Sequence, residues 1–325
     1  TFSLILVFSI IIVGGLTRLT NSGLSITEWE LFRGILPPLN LTTWENYFSL
    51  YKQIPQYRLL NYDMNLTEFK IIFYWEYFHR ILARIIGLFF LIPLIYFYLS
   101  KKINKKYLKI CNVIFFFILL QGLVGWYMVK SGLVNNITVS HYRLSLHLSI
   151  AFTIIAIIFW LLINISRKTS KIFFSITKDN LPFLILIAII FLQIILGAFV
   201  SGLDAGKIYQ TWPLMGQSYF PNDINIASVK NLFDFNNHSL VQFYHRNLAY
   251  LITIYILIFA SYIYKKKIKN LYKPLFLILT FLLLQIALGI MTLVSGLNIY
   301  LASSHQISSV ILVFSAINLY YFHAK

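Results

Sequence analysis

The chain has a single cysteine, Cys111, among 325 residues. One thiol closes no intramolecular disulfide, and there is no cysteine cluster for zinc or an iron–sulfur centre. Cys111 reads as a small apolar residue at the start of a hydrophobic run. Charge is scarce too, at 11% of residues, and acids are scarcest, with ten Asp and Glu in all. A soluble domain carries about 25% charged residues, so that class is excluded.

What is there instead is apolar: 59% of residues are hydrophobic and the mean hydropathy is +0.75. Runs long enough to cross the bilayer core, about 20 residues each, fall near 1–19, 69–99, 110–129, 144–165, 181–200, 238–264, 274–294 and 304–323. The first run is followed by further spans and has no cleavage-site pattern, so it reads as a span rather than a signal peptide. The expected fold class is an all-α integral membrane protein of eight transmembrane helices, arranged as two pseudo-symmetric four-helix bundles.

The net charge of +17 invites a nucleic-acid reading, but its distribution argues against one. Lys and Arg concentrate in "KKINKKYLK" (101–109), "RKTSKIFFSITK" (167–178) and "KKKIKNLYK" (265–273), which follow spans two, four and six. With Lys325 that side carries fifteen basic residues against one acid, Asp179. Such asymmetry is the positive-inside signal. It expects both termini in the cytoplasm and loops that meet anionic lipid, with no nucleic-acid partner.

The halves repeat. "QGLVGWYMVKSGL" (121–133) matches "QIALGIMTLVSGL" (285–297), and "EYFHR" (76–80) matches "QFYHR" (242–246). "LSLHLS" (144–149) and "SSHQIS" (303–308) each place one His near the start of a span, and "GGLTRLTNSG" (14–23) matches "GAFVSGLDAG" (197–206) more weakly. The predicted halves are 1–166, with an outer loop at 20–68, and 178–325, with an outer loop at 201–237. Four spans per half is an even number, so the halves are related by an axis along the membrane normal. In the first loop, "TTWENYFSLYKQI" predicts a short amphipathic helix on the outer membrane surface, capped by Thr42 and Glu45. "NLTE" (65–68) offers a cap for the second span.

Of seven histidines, His323 reads as surface, and His141 and His238 as interfacial. His79, His147, His245 and His305 remain, one in each even-numbered span and toward its outer end. Symmetry-matched ionisable residues inside a membrane point to function. Two His on facing helices of a four-helix bundle suit the axial positions of one haem iron, so each half is expected to hold one haem. Arg80 and Arg246 follow His79 and His245 directly. They are candidates for contacts to haem propionates, against snorkelling to lipid headgroups. The glycines Gly125 and Gly289 suit close helix packing or a nearby macrocycle. The halves differ at one telling place: three residues before His79 stands Glu76, and three before His245 stands Gln242. Positions i and i+3 share a helix face. A carboxylate there can stabilise charge or move protons where an amide cannot, although Glu76 also stands four residues from Arg80 and can simply pair with it. Two other classes stay open on these residues: a bis-histidine b-type cytochrome passing electrons, for instance with quinol, and a transporter built from repeated halves.

"GGLTRLTNSGLSITEW" (14–29), "PPLN" (37–40), "NLTEFKIIFYWEYFHR" (65–80) and "GLDAGKIYQTWPLMGQSYFPND" (202–223) resemble haem A synthases of the alphaproteobacterial and mitochondrial form. The likeness runs in order over nearly the whole chain. It implies an enzyme, an oxidoreductase that converts the C8 methyl group of haem O to a formyl group and so supplies haem A to cytochrome c oxidase. By the same resemblance His79 and His147 hold substrate haem O, His245 and His305 hold a resident haem b (iron protoporphyrin IX), and Glu76 is the catalytic residue. It further implies handover from haem O synthase, release of electrons to an acceptor the sequence does not identify, and residence in a bacterial inner membrane or, alternatively, the mitochondrial one. Oligomeric state, including a homo-oligomer, is left open.

Overall fold

The computed structural model describes residues 1–28, 33–135, 137–224 and 229–324. Trp29 of the first motif and Lys325 of the basic side lie outside the described residues.

Eight helices are long and apolar enough to span a membrane, and no strand occurs among the described residues. In chain order the helices are α1 (Phe2–Leu19), α2 (Leu41–Tyr51), α3 (Pro55–Leu60), α4 (Leu66–Ser100), α5 (Lys105–Asn135), α6 (His141–Ser166), α7 (Leu181–Gly202), α8 (His238–Lys265), α9 (Tyr272–Val294) and α10 (Ile299–His323). The chain is an all-α, multi-pass membrane protein. Several spans run a few residues beyond the apolar runs, and in α4 and α10 a capping side chain carries the helix into its polar flank. Asn298 accepts from the Tyr300 and Leu301 amides and so starts α10 five residues before the apolar run.

The chain divides into two compact units, Thr1–Ile154 and Ile155–Lys325, with the division inside α6. In the first unit α1 packs on α4, and α4 on α5. In the second, α7 packs on α8 and α10, and α9 on α10 and α8.

α4 has 35 residues. At 1.5 Å per residue that is about 52 Å, longer than the hydrocarbon core by several turns. Its start is set by a full capping box: Asn65 accepts from the Glu68 amide and Glu68 reaches back to the Asn65 amide. The extra N-terminal turns explain where α2 sits. Its apolar face, which the sequence alone offers to the bilayer surface, is turned onto α4. Trp44, Phe48 and Tyr51 are buried with Phe69 and Phe73, with Phe48 and Phe69 stacked at 5.0 Å and Trp44 edge-on to Phe73 at 4.9 Å. Each such ring contributes on the order of 2 kcal/mol by leaving water, so a protein partner in reach captures this face. The cap of α2 also differs from the expected Thr42 box. Asn40 takes the role, accepting from the Thr43 amide at 2.8 Å; Asn outranks Thr at this position.

Two of the peripheral histidines also depart from expectation. His141 is buried, and His323 is half-buried with its ring stacked on Phe183 at 4.1 Å. Both rings find packing partners, which outweighs their polarity. His238 is exposed, as its place at the head of α8 predicts.

Candidate functional site

The four histidines pair two to a unit. His79 on α4 and His147 on α6 have ring centroids 6.4 Å apart, tilted by 63°. His245 on α8 and His305 on α10 belong to the second unit. All four residues are half-buried, yet the Nδ1 atoms of His79, His147 and His245 are buried with no hydrogen-bond partner. His305 differs: its Nδ1 lies 3.1 Å from the Gln285 carbonyl oxygen, to which it donates. An unpartnered nitrogen in a protein interior costs free energy and asks for an explanation.

What seats each ring was not legible beforehand. A Cβ on Gly14 would stand 3.0 Å from the His79 Cε1, and one on Gly125 3.0 Å from the His147 Cε1. The same holds for Gly197 against His245, at 3.1 Å, and Gly289 against His305, at 2.9 Å. In all four cases a glycine of the odd-numbered span lets the imidazole of the next span lie against bare backbone. The repeat named Gly125 and Gly289. Gly14 and Gly197 stood unremarked in the weaker match, where their alignment was the available signal.

Glu76 is buried and fully engaged. Ser25 Oγ donates to its Oε2 at 2.7 Å and the Ile26 amide to the same oxygen at 2.9 Å. Arg80 donates to Oε1 from Nε at 3.1 Å and from Nη2 at 2.6 Å. All of these contacts are donors to the carboxylate, which acts as acceptor only. Arg80 Nη2 also donates to the Ile26 carbonyl at 3.0 Å, so the Glu76–Arg80 pair grips the strand of loop that follows α1. That loop is held further out as well. Tyr51, at the centre of the aromatic cluster, donates to Gln56 Oε1 at 3.0 Å, and Gln56 Nε2 donates to the Asn21 carbonyl at 3.2 Å. The α2 cluster, the α1–α2 loop and Glu76 are thus one connected network.

The second unit makes the same grip without a carboxylate. Gln242 Nε2 donates to the Tyr209 carbonyl at 2.9 Å, Arg246 Nη2 to the same oxygen at 3.0 Å, and Arg246 Nη1 to the Leu214 carbonyl at 3.2 Å. Gln242 Oε1 and Arg246 Nε are buried and unpartnered. Outside the span, Asp223 joins this loop to α8, accepting from Tyr209 at 2.8 Å and Ser239 at 2.7 Å. Burial pushes its carboxyl up, but these two donors outweigh that and hold it below the usual range.

Among the described residues, no three His, Cys, Asp or Glu side chains gather as they would around a bare metal ion. An open cavity of about 400 Å³ lined by Thr27, Gln53, Ile54, Arg58 and Leu133 contains none of the histidines. The chemistry offered is therefore that of paired imidazoles, with a carboxylate beside one pair and an amide beside the other.

Residues 1–317 match the family model described as cytochrome oxidase assembly protein, COX15-CtaA. The chain is 51% identical over 316 residues to the "Heme A synthase" of Pelagibacter ubique, covering 96% of this chain and 93% of the relative. It is 41% identical over 318 residues to that of Rickettsia canadensis, again 96% and 93% of the two chains, and 42% identical over 316 residues to that of Rickettsia bellii, 95% and 92%. With eight membrane-spanning helices and a match over nearly its full length, the chain belongs to the cytochrome oxidase assembly protein family, COX15-CtaA.

Proposed function

We propose that the chain makes haem A, oxidising the C8 methyl group of haem O to a formyl group, as the names of its relatives suggest. Substrate haem O is held by His79 and His147, and a resident haem b by His245 and His305. The site residues fit such groups. A metal–imidazole bond of about 2 Å, with about 1 Å from nitrogen to ring centre, separates the centroids of two axial imidazoles by about 6 Å. The 6.4 Å between His79 and His147 agrees with that. The glycine seats support it too, since each lets its imidazole lie against bare helix backbone.

The observation that carries the assignment of chemistry is the difference between Glu76 and Gln242 in otherwise matching grips. Glu76 is one helical turn from His79 and so shares a face with it. Oxidation of the methyl carbon to the alcohol and then to the hydrated aldehyde takes up one water and releases two electrons, to an external acceptor, and two protons at each stage, and the hydrate then loses water. Glu76 stabilises positive charge that develops at this carbon or takes the proton it releases. Ser25, Ile26 and Arg80 hold the carboxylate in place for that task. A haem b held by His245 and His305 would supply one-electron chemistry. Arg246 Nε is buried without a partner, and this guanidinium suits a haem propionate. The setting is a bacterial inner membrane with the basic loops and both termini on the cytoplasmic side, and haem O arrives from the enzyme that makes it.

The test is Glu76→Gln in the full chain, expressed with a source of haem O. The expected outcome is a protein that retains its pigment and accumulates haem O or the alcohol without haem A. Haem A output equal to wild type refutes the role.

A further inference from the structure

The assignment of one histidine pair to a resident haem and the other to a substrate leaves a physical problem. Both pairs offer two imidazoles on glycine seats, yet one haem must stay and the other must leave after each turnover. The supports around the pairs differ in a way that resolves this.

One turn before its glycine seat, each odd-numbered span of the second unit carries a glutamine: Gln193 before Gly197 and Gln285 before Gly289. Gln193 Nε2 donates to the backbone carbonyl of His245 at 3.0 Å. Gln285 Oε1 accepts a short hydrogen bond from Ser308, one turn beyond His305, while its backbone carbonyl accepts from His305 Nδ1 at 3.1 Å. None of these bonds uses Nε2, so they persist when that nitrogen ligates iron. The Nδ1 donor also fixes the tautomer with its lone pair on Nε2. The two glutamine amides also stand 3.4 Å and 3.3 Å from the Nε2 atoms of His245 and His305, contacts that an iron bound at Nε2 would replace and that are no part of the support.

The repeat places Ile10 at the position of Gln193 and Ile150 at that of Ser308. Gln121 matches Gln285, but its Oε1 is buried with no partner, and His147 Nδ1 likewise has none. Both side-chain ties of the second unit are therefore missing from the first, replaced by aliphatic side chains that bond to nothing.

We infer that Gln193 and Gln285 are positioning residues that lock the His245–His305 pair for a haem that stays, and that Ile10 and Ile150 leave the His79–His147 pair free to exchange its haem. This rests on the reading that the four histidines hold haem. Supports of this kind are worth about 10- to 100-fold in metal affinity, enough to separate a resident group from an exchanging one.

The experiment measures haem release. Full-length protein in detergent is loaded with ferric protoporphyrin IX, and transfer to excess apomyoglobin is followed in the Soret region. Wild type is expected to release haem in a fast and a slow phase, with His79→Ala removing the fast phase and His245→Ala the slow one. In Gln193→Leu/Gln285→Leu the slow phase accelerates by about 10- to 100-fold and the midpoint potential of that haem shifts, with the fast phase unchanged. Should that variant fail to fold, Ile10→Gln/Ile150→Ser carries the test: its fast phase slows by about tenfold or more. Release rates equal to wild type in either variant, or both phases changing by the same factor, overturn the inference. A wild-type chain that takes up no haem overturns instead the reading on which it rests.

Discussion

Gly289→Ala adds one methyl group to the protein, and the geometry says what it must do. The new Cβ would lie 2.9 Å from His305 Cε1 and 3.4 Å from its Nδ1. Carbon atoms in contact settle at about 3.5–4.0 Å, so ring and backbone must part by about 0.6 Å or more. The His305 Nδ1 donor, 3.1 Å from the Gln285 carbonyl, then moves to the limit of a hydrogen bond or past it. Overpacking of this size costs about 1–3 kcal/mol, which corresponds to roughly 5- to 150-fold weaker retention of a group held by that ring. The assay is Soret absorbance per mole of purified protein, with size-exclusion profiles to confirm folding. Gly122→Ala and Gly87→Ala are the controls, because a Cβ at either position meets nothing within 4 Å. Gly122 sits on α5 one turn from Gly125, whose Cβ would meet His147 at 3.0 Å, so the comparison isolates contact with the ring from any general effect of losing a glycine. If Gly289→Ala keeps its pigment as wild type does, or if Gly122→Ala loses as much, the glycine-seat argument is refuted.

Two further outcomes follow from the Glu76 network. Ser25→Ala removes a buried donor 2.7 Å from Glu76; leaving the carboxylate short of a partner costs about 1–3 kcal/mol, and haem A production is expected to fall by about tenfold while the pigment content stays near wild type. The Tyr51 phenol is pushed up to about 12, first by burial, against the lowering effect of the Asn61 hydrogen bond and with a further raising effect from Glu76. The folded value lies above the unfolded one of about 10, so the stability Tyr51 contributes is complete below pH 10 and is lost as pH rises toward 12. Alkaline unfolding followed by tryptophan fluorescence should therefore lose part of its pH dependence between 10 and 12 in Tyr51→Phe; an unchanged profile counts against the burial argument.

Much of the site was legible because the bilayer writes its demands into composition. A histidine or glutamate inside an apolar run is conspicuous, and a repeat of half the chain shows which of them match. Asn65 as a cap was legible for a similar reason: a capping box lies within four residues. Thr42 misled because Asn40, two residues earlier, is the stronger cap. The destination of α2 was hidden for a different reason. An amphipathic face is equally suited to lipid and to protein, and the aromatic residues Phe69 and Phe73 in the first turns of the long α4 decided between them.

The sequence by itself determined the eight spans, the concentration of basic residues after spans two, four and six, the placing of His79, His147, His245 and His305 one in each even-numbered span, and the single mismatch of Glu76 with Gln242. Each follows from hydropathy, from charge counted along the chain, or from one half compared with the other. Only the tertiary structure decided that each imidazole rests on a glycine of the preceding span, and that Glu76 is held by Ser25 and Ile26 some fifty residues upstream. It also decided that Gln193 and Gln285 brace one pair of histidines while Ile10 and Ile150 leave the other unbraced. These contacts join residues remote in sequence whose distances follow no helical period, so they come into being only when the helices pack.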